Sequence, residues 1–266
     1  MVLDEVKILR RHGRQWVRDL WKVELNPLFR GRPVISGDIT KEEALMVANL
    51  CPTRAISGEP ISAEPISTEP VFDKPLSIDL GKCVFCKECQ FVLPGKINFT
   101  NDYKIATNSL EGLIIHAGDA KPVTLDPEKI RKEIRSYFKH ALKLRQVSAG
   151  GDNSGEMELN AAGNVNFDMG RYGIEFVASP RHADGIVITG PITENMAEAL
   201  QICYDAVPDP KIVILCGTDA ISGGIFAGSP ALNRSFLENH TVDLYVPGNP
   251  PHPLTFINGV LDLIGK

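Results

Sequence analysis

The chain has 266 residues, 43% of them apolar and 23% charged, with a formal net charge of −5. That balance belongs to a soluble globular protein of one or two domains and gives no reason to expect a nucleic-acid partner. No apolar run reaches the length of a membrane span, Val2 to Trp21 is studded with Arg and Lys rather than apolar as a secretory leader would be, and six cysteines, four at ligand-like spacing, suit a reducing compartment.

Residues 1–29 read as a basic arm. Lys7, Arg10, Arg11, Arg14, Arg18 and Lys22 outnumber Asp4, Glu5, Asp19 and Glu24. Val6, Leu9, Trp16, Leu20 and Trp21 suggest a partly amphipathic helix, either a plain surface helix or an arm that docks on a partner subunit or an anionic membrane face. Phe29 to Ile35 reads as a turn into a short strand, and 41–50 as a short helix ahead of Cys51. Proline then returns every fifth residue, in Glu59-Pro60-Ile61, Glu64-Pro65-Ile66 and Glu69-Pro70-Val71. That rhythm blocks helix and central strand and predicts an extended loop.

The stretch Lys82-Cys83-Val84-Phe85-Cys86-Lys87-Glu88-Cys89 has the spacing C-x2-C-x2-C. Bacterial-type ferredoxins carry C-x2-C-x2-C-x3-C-P runs, and the fourth cysteine of each run ligates the other run's cluster. Cys51, followed by Pro52, stands as such a fourth ligand. Counting back from it gives Lys41, Ala44 and Val47, and counting on from Cys89 gives Leu93 before Pro94. One complete set of four thiolates therefore remains, Cys51, Cys83, Cys86 and Cys89, and the second set has none. The pattern predicts a single [4Fe–4S] cluster in a ferredoxin-like α+β domain over 30–120. The same four thiolates could also hold zinc.

Asp126-Pro127-Glu128 is a helix start, and Ile130, Ile134, Phe138 and Leu142 fall four apart. These predict a connecting helix within 121–145. From 146 to 266, short β-branched runs alternate with helices: strands at 173–177, 185–189, 211–216 and 242–246, and helices at 193–206 and 252–264. Strands without polar alternation, separated by helices, predict a flavodoxin-like α/β domain whose parallel sheet is covered on both faces. Cys216 ends an apolar run and reads as a buried strand residue. No strand–GxGxxG–helix phosphate loop is present.

Phe176-Val177-Ala178-Ser179-Pro180-Arg181-His182-Ala183-Asp184, Thr189-Gly190-Pro191-Ile192-Thr193, Ser222-Gly223-Gly224-Ile225-Phe226 and Tyr245-Val246-Pro247-Gly248 resemble the small subunit of group 4 [NiFe] hydrogenases, the same domain as the 20-kDa, B-type subunit of complex I. Residues 30–115 resemble the polyferredoxin-like subunit of formate hydrogenlyase complexes, similar to the I-type subunit of complex I. The chain thus resembles a fusion of two adjacent electron-transfer subunits.

That resemblance implies four cysteines around a proximal cluster in the α/β domain. Their positions fall on Asp152, Gly155, Asp219 and Asn249, and none of these is a thiolate. The expectation is a wet, polar pocket lined by Asp152, Asp219 and Asn249, without a cluster. Oxygens converging on one point would favour a metal or ligand site, and side chains turned to local partners would favour a scaffold. Arg181 and His182 are expected at an interface with a large (49-kDa-like) subunit. The resemblance further implies an electron-transfer subunit, cytoplasmic and peripheral on the inner face of the membrane. The alternative is a structural or assembly subunit whose one cluster is mainly structural.

Overall fold

A computed structural model describes residues 2–12, 16–57 and 76–266. The proline repeat at 59–71 lies outside the described residues.

Helix α1 (Val2–His12) is the only part of the basic arm that is helical among the described residues, and its side chains from Leu3 to Arg10 are all exposed. The arm does not remain helical through Trp21. Residues 16–29 instead form a strap across both halves of the molecule. Leu20 is fully buried, and its carbonyl accepts bonds from the Tyr103 hydroxyl (2.9 Å) and Asn258 Nδ2 (3.0 Å). Asn101 Nδ2 donates to the Leu25 carbonyl, and Val17 N donates to the Asn166 carbonyl.

The ferredoxin-like unit is built from two small antiparallel sheets. Strand β1 (Pro33–Ile35) pairs with β4 (Ile97–Phe99), and β3 (Ser77–Asp79) lies between β2 (Ile56–Ser57) and β5 (Ile114–His116). Helices α2 (Lys41–Leu50) and α3 (Glu88–Val92) complete it. A reciprocal capping box starts α2: Thr40 Oγ1 accepts from Glu43 N, and Thr40 N donates to Glu43 Oε2. Pro52 cannot continue the helix, so α2 delivers Cys51 at its end. At the second run's empty positions, Ala44, Val47 and Leu93 are buried in the apolar core.

The helix expected within 121–145 is not continuous. Asp126 does cap a turn, accepting from Glu128 N, but the turn is a 3-10 segment that ends at Lys129. Ile130 and Arg131 are extended, α4 spans only Lys132–Tyr137, and Leu142 opens strand β6 (Leu142–Ser148). The four apolar residues still enter one core.

The remainder is an α/β domain. After β6 come α5 (Ser154–Ala162), β7 (Ile174–Phe176), β8 (Gly185–Thr189), α6 (Glu194–Asp205), β9 (Ile212–Cys216), α7 (Thr218–Ser222), α8 (Ser235–Asn239), β10 (Leu244–Val246) and α9 (Pro253–Ile264). The five strands are parallel in the order β10-β9-β8-β6-β7. Renumbered within the sheet this is 2-1-3-4-5, the flavodoxin-like order, whose switch point lies between β6 and β8. Ile186, Ile188, Val213 and Leu215 point to the core shared with the ferredoxin-like unit, and Val187, Ile212, Ile214 and Cys216 point to the core under α9. Burial on both faces explains why β8 and β9 read as unbroken apolar runs. Each such fully buried aliphatic side chain contributes about 1.5–3 kcal/mol.

Candidate functional site

The four cysteines of the predicted set line one pocket, together with Ala55, Ile56, Ile78 and Phe99. Cys51 comes from the end of α2, Cys83 and Cys86 from the loop after β3, and Cys89 from α3. Backbone amides are aimed at the sulfurs: Ala55 N donates to Cys51 Sγ and Phe85 N to Cys83 Sγ, both at 3.3 Å. Burial pushes the Cys83 thiol up to about 12 and Cys89 up to about 11. The neighbouring sulfurs add to both shifts, since clustered thiolates repel. Cys83 and Cys89 can therefore ionise in this pocket only beside a compensating cation. Among the described residues, no three His, Cys, Asp or Glu side chains converge closely enough to hold one metal ion. An apolar pocket with amide donors to sulfur fits thiolates that would hold an iron–sulfur cluster.

Asp152, Gly155, Asp219 and Asn249 also line one pocket, separate from the first. It sits at the carboxyl ends of the parallel strands, beside Gly151 after β6, Gly190 after β8, Gly217 after β9 and Gly248 after β10. This is the crevice where open α/β sheets take their ligands. Gly190 (φ 77°) lies so close to Gly151 that a side chain would collide with its backbone, which lets the two loops meet across the switch point.

The carboxylates there do not share a focus. Asp152 is exposed, and its Oδ1 accepts from Ser154 N (2.9 Å) and Ser154 Oγ (2.6 Å), bonds that hold its carboxyl below the usual range. Asp219 Oδ1 is buried against Gly224, where any side chain would strike it, and has no hydrogen-bond partner. Burial, and then Asp152, push the Asp219 carboxyl up. Asn249 is exposed. Glu156, unremarked in the sequence, is buried and accepts from Thr189 Oγ1 at 2.6 Å.

Arg181 and His182 are exposed on a 3-10 turn, Pro180–His182. They are not brought to the pocket. Asp184 N bonds the Lys143 carbonyl, and Lys143 N bonds Asp184 Oδ2, which pins this segment near the start of β6. The pocket lies past the end of β6, roughly 20 Å along at the rise of an extended strand.

A third cavity separates the two sites, lined by Phe29, Arg30, Phe85, Asn249 and His252 among others. His252 caps α9 through Nδ1, which accepts from Leu254 N, and packs edge-on to Phe29 and Phe167. Burial pushes its imidazole down to about 4, so it is neutral at neutral pH. More directly, Thr218 Oγ1 donates 2.8 Å to the Cys83 carbonyl, and Thr218 itself lines the acidic pocket. Sequence spacing offers no signal for that bond, because it joins residues 135 positions apart through backbone.

A family model described as NADH ubiquinone oxidoreductase, 20 Kd subunit, matches residues 153–263, from α5 to α9. The "Probable membrane-bound hydrogenase subunit mbhJ" of Pyrococcus furiosus is 39% identical over 120 residues, 45% of this chain and 72% of that protein. The B-type NADH-quinone oxidoreductase subunit of Heliobacterium modesticaldum is 44% identical over 111 residues, 41% of this chain and 63% of that protein. A chain from the structure of the membrane-bound sulfane sulfur reductase (MBS), an archaeal respiratory membrane complex, aligns at a TM-score of 0.43 and 29% identity, covering 48% of this chain and 70% of that one. The family match includes Gly155, Asp219 and Asn249 and leaves Cys51, Cys83, Cys86 and Cys89 outside its span. Through its α/β domain, the chain belongs to the family of the NADH ubiquinone oxidoreductase 20 Kd subunit.

Proposed function

We propose that the chain is an electron-transfer subunit of a hydrogenase-like or complex I-like membrane-associated oxidoreductase. It carries one [4Fe–4S] cluster on Cys51, Cys83, Cys86 and Cys89, and none at Asp152, Gly155, Asp219 and Asn249. The observation that carries this reading is one apolar pocket that brings Cys51 to the Cys83–Cys89 run, with two amide donors to sulfur. When bound, the cluster supplies one-electron transfer. The chain's own residues ligate it, exclude water with Ile56, Ile78 and Phe99, and aim N–H groups at sulfur to favour the more negative, reduced form. The α/β domain docks the large subunit, and the chain lies peripherally on the cytoplasmic face of the membrane.

The acidic pocket supports a scaffold role for the α/β domain. Asp152 is engaged by its own loop and Asp219 is turned against Gly224, which is the divergent arrangement rather than a cation cage. A second reading follows, in which the whole chain is an assembly subunit and its cluster only stabilises the ferredoxin-like unit. Iron and acid-labile sulfide analysis of anaerobically purified protein, with EPR after reduction, tests both readings. The expected result is about four iron and four sulfide per chain by the ligand count and a reducible signal. One zinc without sulfide, or about eight iron, overturns the proposal, and a cluster that cannot be reduced reversibly favours the assembly reading.

A further inference from the structure

The turn that carries two of the four thiols is strained. Phe85 and Lys87 are not glycines, yet both are left-handed, with φ of 54° and 69°. Bulky residues avoid that region unless their surroundings enforce it. The turn's product is the Phe85 N–H aimed at Cys83 Sγ. Two of its carbonyls are held by side chains from outside the two small sheets. Thr218 Oγ1, fully buried at the start of α7, donates to the Cys83 carbonyl at 2.8 Å. Arg30 Nη1, just after the N-terminal strap, donates to the Phe85 carbonyl at 2.8 Å.

Helix α7 is itself anchored. Arg234 donates to the Ala220 and Ile221 carbonyls at 2.8 and 2.7 Å, at the helix's far end. Ile221 presses on the same loop, because a side chain at Gly81 would meet its Cγ2 at 2.8 Å. The clamp on the cysteine turn is therefore built partly from the α/β domain's loop and helix after β9, next to Asp219.

We propose that Thr218 and Arg30 are positioning residues for the cluster. They lock the Cys83–Lys87 turn in its left-handed form, hold the Phe85 N–H on Cys83 Sγ, and thereby keep the cluster's midpoint potential high. This inference rests on the proposed cluster. It gives the α/β domain a task that survives without a cluster of its own. The sign follows from charge: an N–H donor to sulfur stabilises the reduced, more negative state, so loosening the turn lowers the potential.

The test compares Thr218→Val, Thr218→Ser and Arg30→Met with the wild type by potentiometric EPR titration, after iron and sulfide analysis of each. Hydrogen exchange of the peptide spanning 81–90 is followed in the same samples. Thr218→Val and Arg30→Met are expected to keep full iron, shift the midpoint downward, alter the g values and speed exchange in that peptide. Thr218→Ser, which restores the hydroxyl, is expected to match the wild type. Arg30 is exposed, so its variant reports even if Thr218→Val fails to fold. Unchanged midpoints and exchange in Arg30→Met and in folded Thr218→Val overturn the proposal, as does an equal shift in Thr218→Ser. A wild type without a [4Fe–4S] cluster overturns the functional reading itself and is seen before any variant is titrated.

Discussion

The cysteine pocket and the acidic pocket stand on either side of Thr218, and they differ in what surrounds their ligand positions. The cysteine pocket is buried, apolar and supplied with amide donors. The acidic pocket keeps the backbone of a ligand crevice, with glycines after four consecutive strands of the sheet, but Asp152 bonds within its own loop, Asn249 is exposed and Asp219 Oδ1 is buried without a partner. The second ferredoxin position took another course, with Ala44, Val47 and Leu93 packed into the core. A site enclosed between small sheets closes up with apolar groups, because an unpaired polar group there would be costly. A site at the open edge of a sheet can stay polar, since water reaches it.

The sharpest way to break this comparison is at Cys51. Cys51→Ser is expected to abolish the cluster as completely as Cys86→Ser, with iron falling to background, although Cys51 lies on a different element. Asp152→Ala combined with Asp219→Ala should leave iron content unchanged. Iron retained in Cys51→Ser, or lost in the double variant, would reverse the roles assigned to the two pockets.

A smaller effect is expected at His252, which lines the cavity between them. Its folded value of about 4 lies below the ordinary 6.5. Between those limits the unfolded chain takes up a proton that the native state refuses. Stability should therefore fall as pH drops through the window and recover as pH rises. The linkage amounts to about 3 kcal/mol. His252→Asn keeps an acceptor for the Leu254 N–H and does not titrate, so chemical denaturation at pH 7 and pH 4 should show this part of the pH dependence removed. A pH dependence equal to that of the wild type would mean that the ring is not held neutral.

The smallest effect is expected at Asp219. Its carboxyl is raised by burial and by Asp152, so the native state holds a proton longer than the unfolded chain. Its contribution to stability is present at low pH and is lost as pH rises through the raised value. Asp219→Ala removes a buried, unpartnered oxygen and should stabilise by about 1 kcal/mol at pH 7, allowing for partial solvent screening. The gain should vanish under acid conditions. Destabilisation at pH 7 would show that the carboxylate has a partner.

Much of this arrangement was legible in the sequence, for physical reasons that differ by element. Strands such as Gly185–Thr189 and Ile212–Cys216 announce burial on both faces by composition alone. The C-x2-C-x2-C spacing and the Cys51-Pro52 pair grouped four cysteines that line one pocket in the fold. The stripe of Ile130, Ile134, Phe138 and Leu142 misled, because one core can be fed by a turn, a helix and a strand as well as by one helix. Leu20 misled similarly: an apolar residue in a basic run looks like a helix face, and only the tertiary fold shows it fully buried under Asn258 and Tyr103. The Thr218 and Arg30 bonds to backbone carbonyls leave no pattern at all, since any residue could supply the carbonyl.

The strap through Leu20 also bears on how the molecule comes together during synthesis. Its carbonyl waits for Tyr103 and for Asn258, the latter 238 positions later. While the ribosome is still making the intervening chain, at about 5–20 residues per second, Leu20 and its neighbours have no seat and expose apolar surface for many seconds. Contacts so distant in sequence close late. The nascent ferredoxin-like unit, whose own sheets and cysteines lie within residues 33–116, can take shape before the strap is fastened across it.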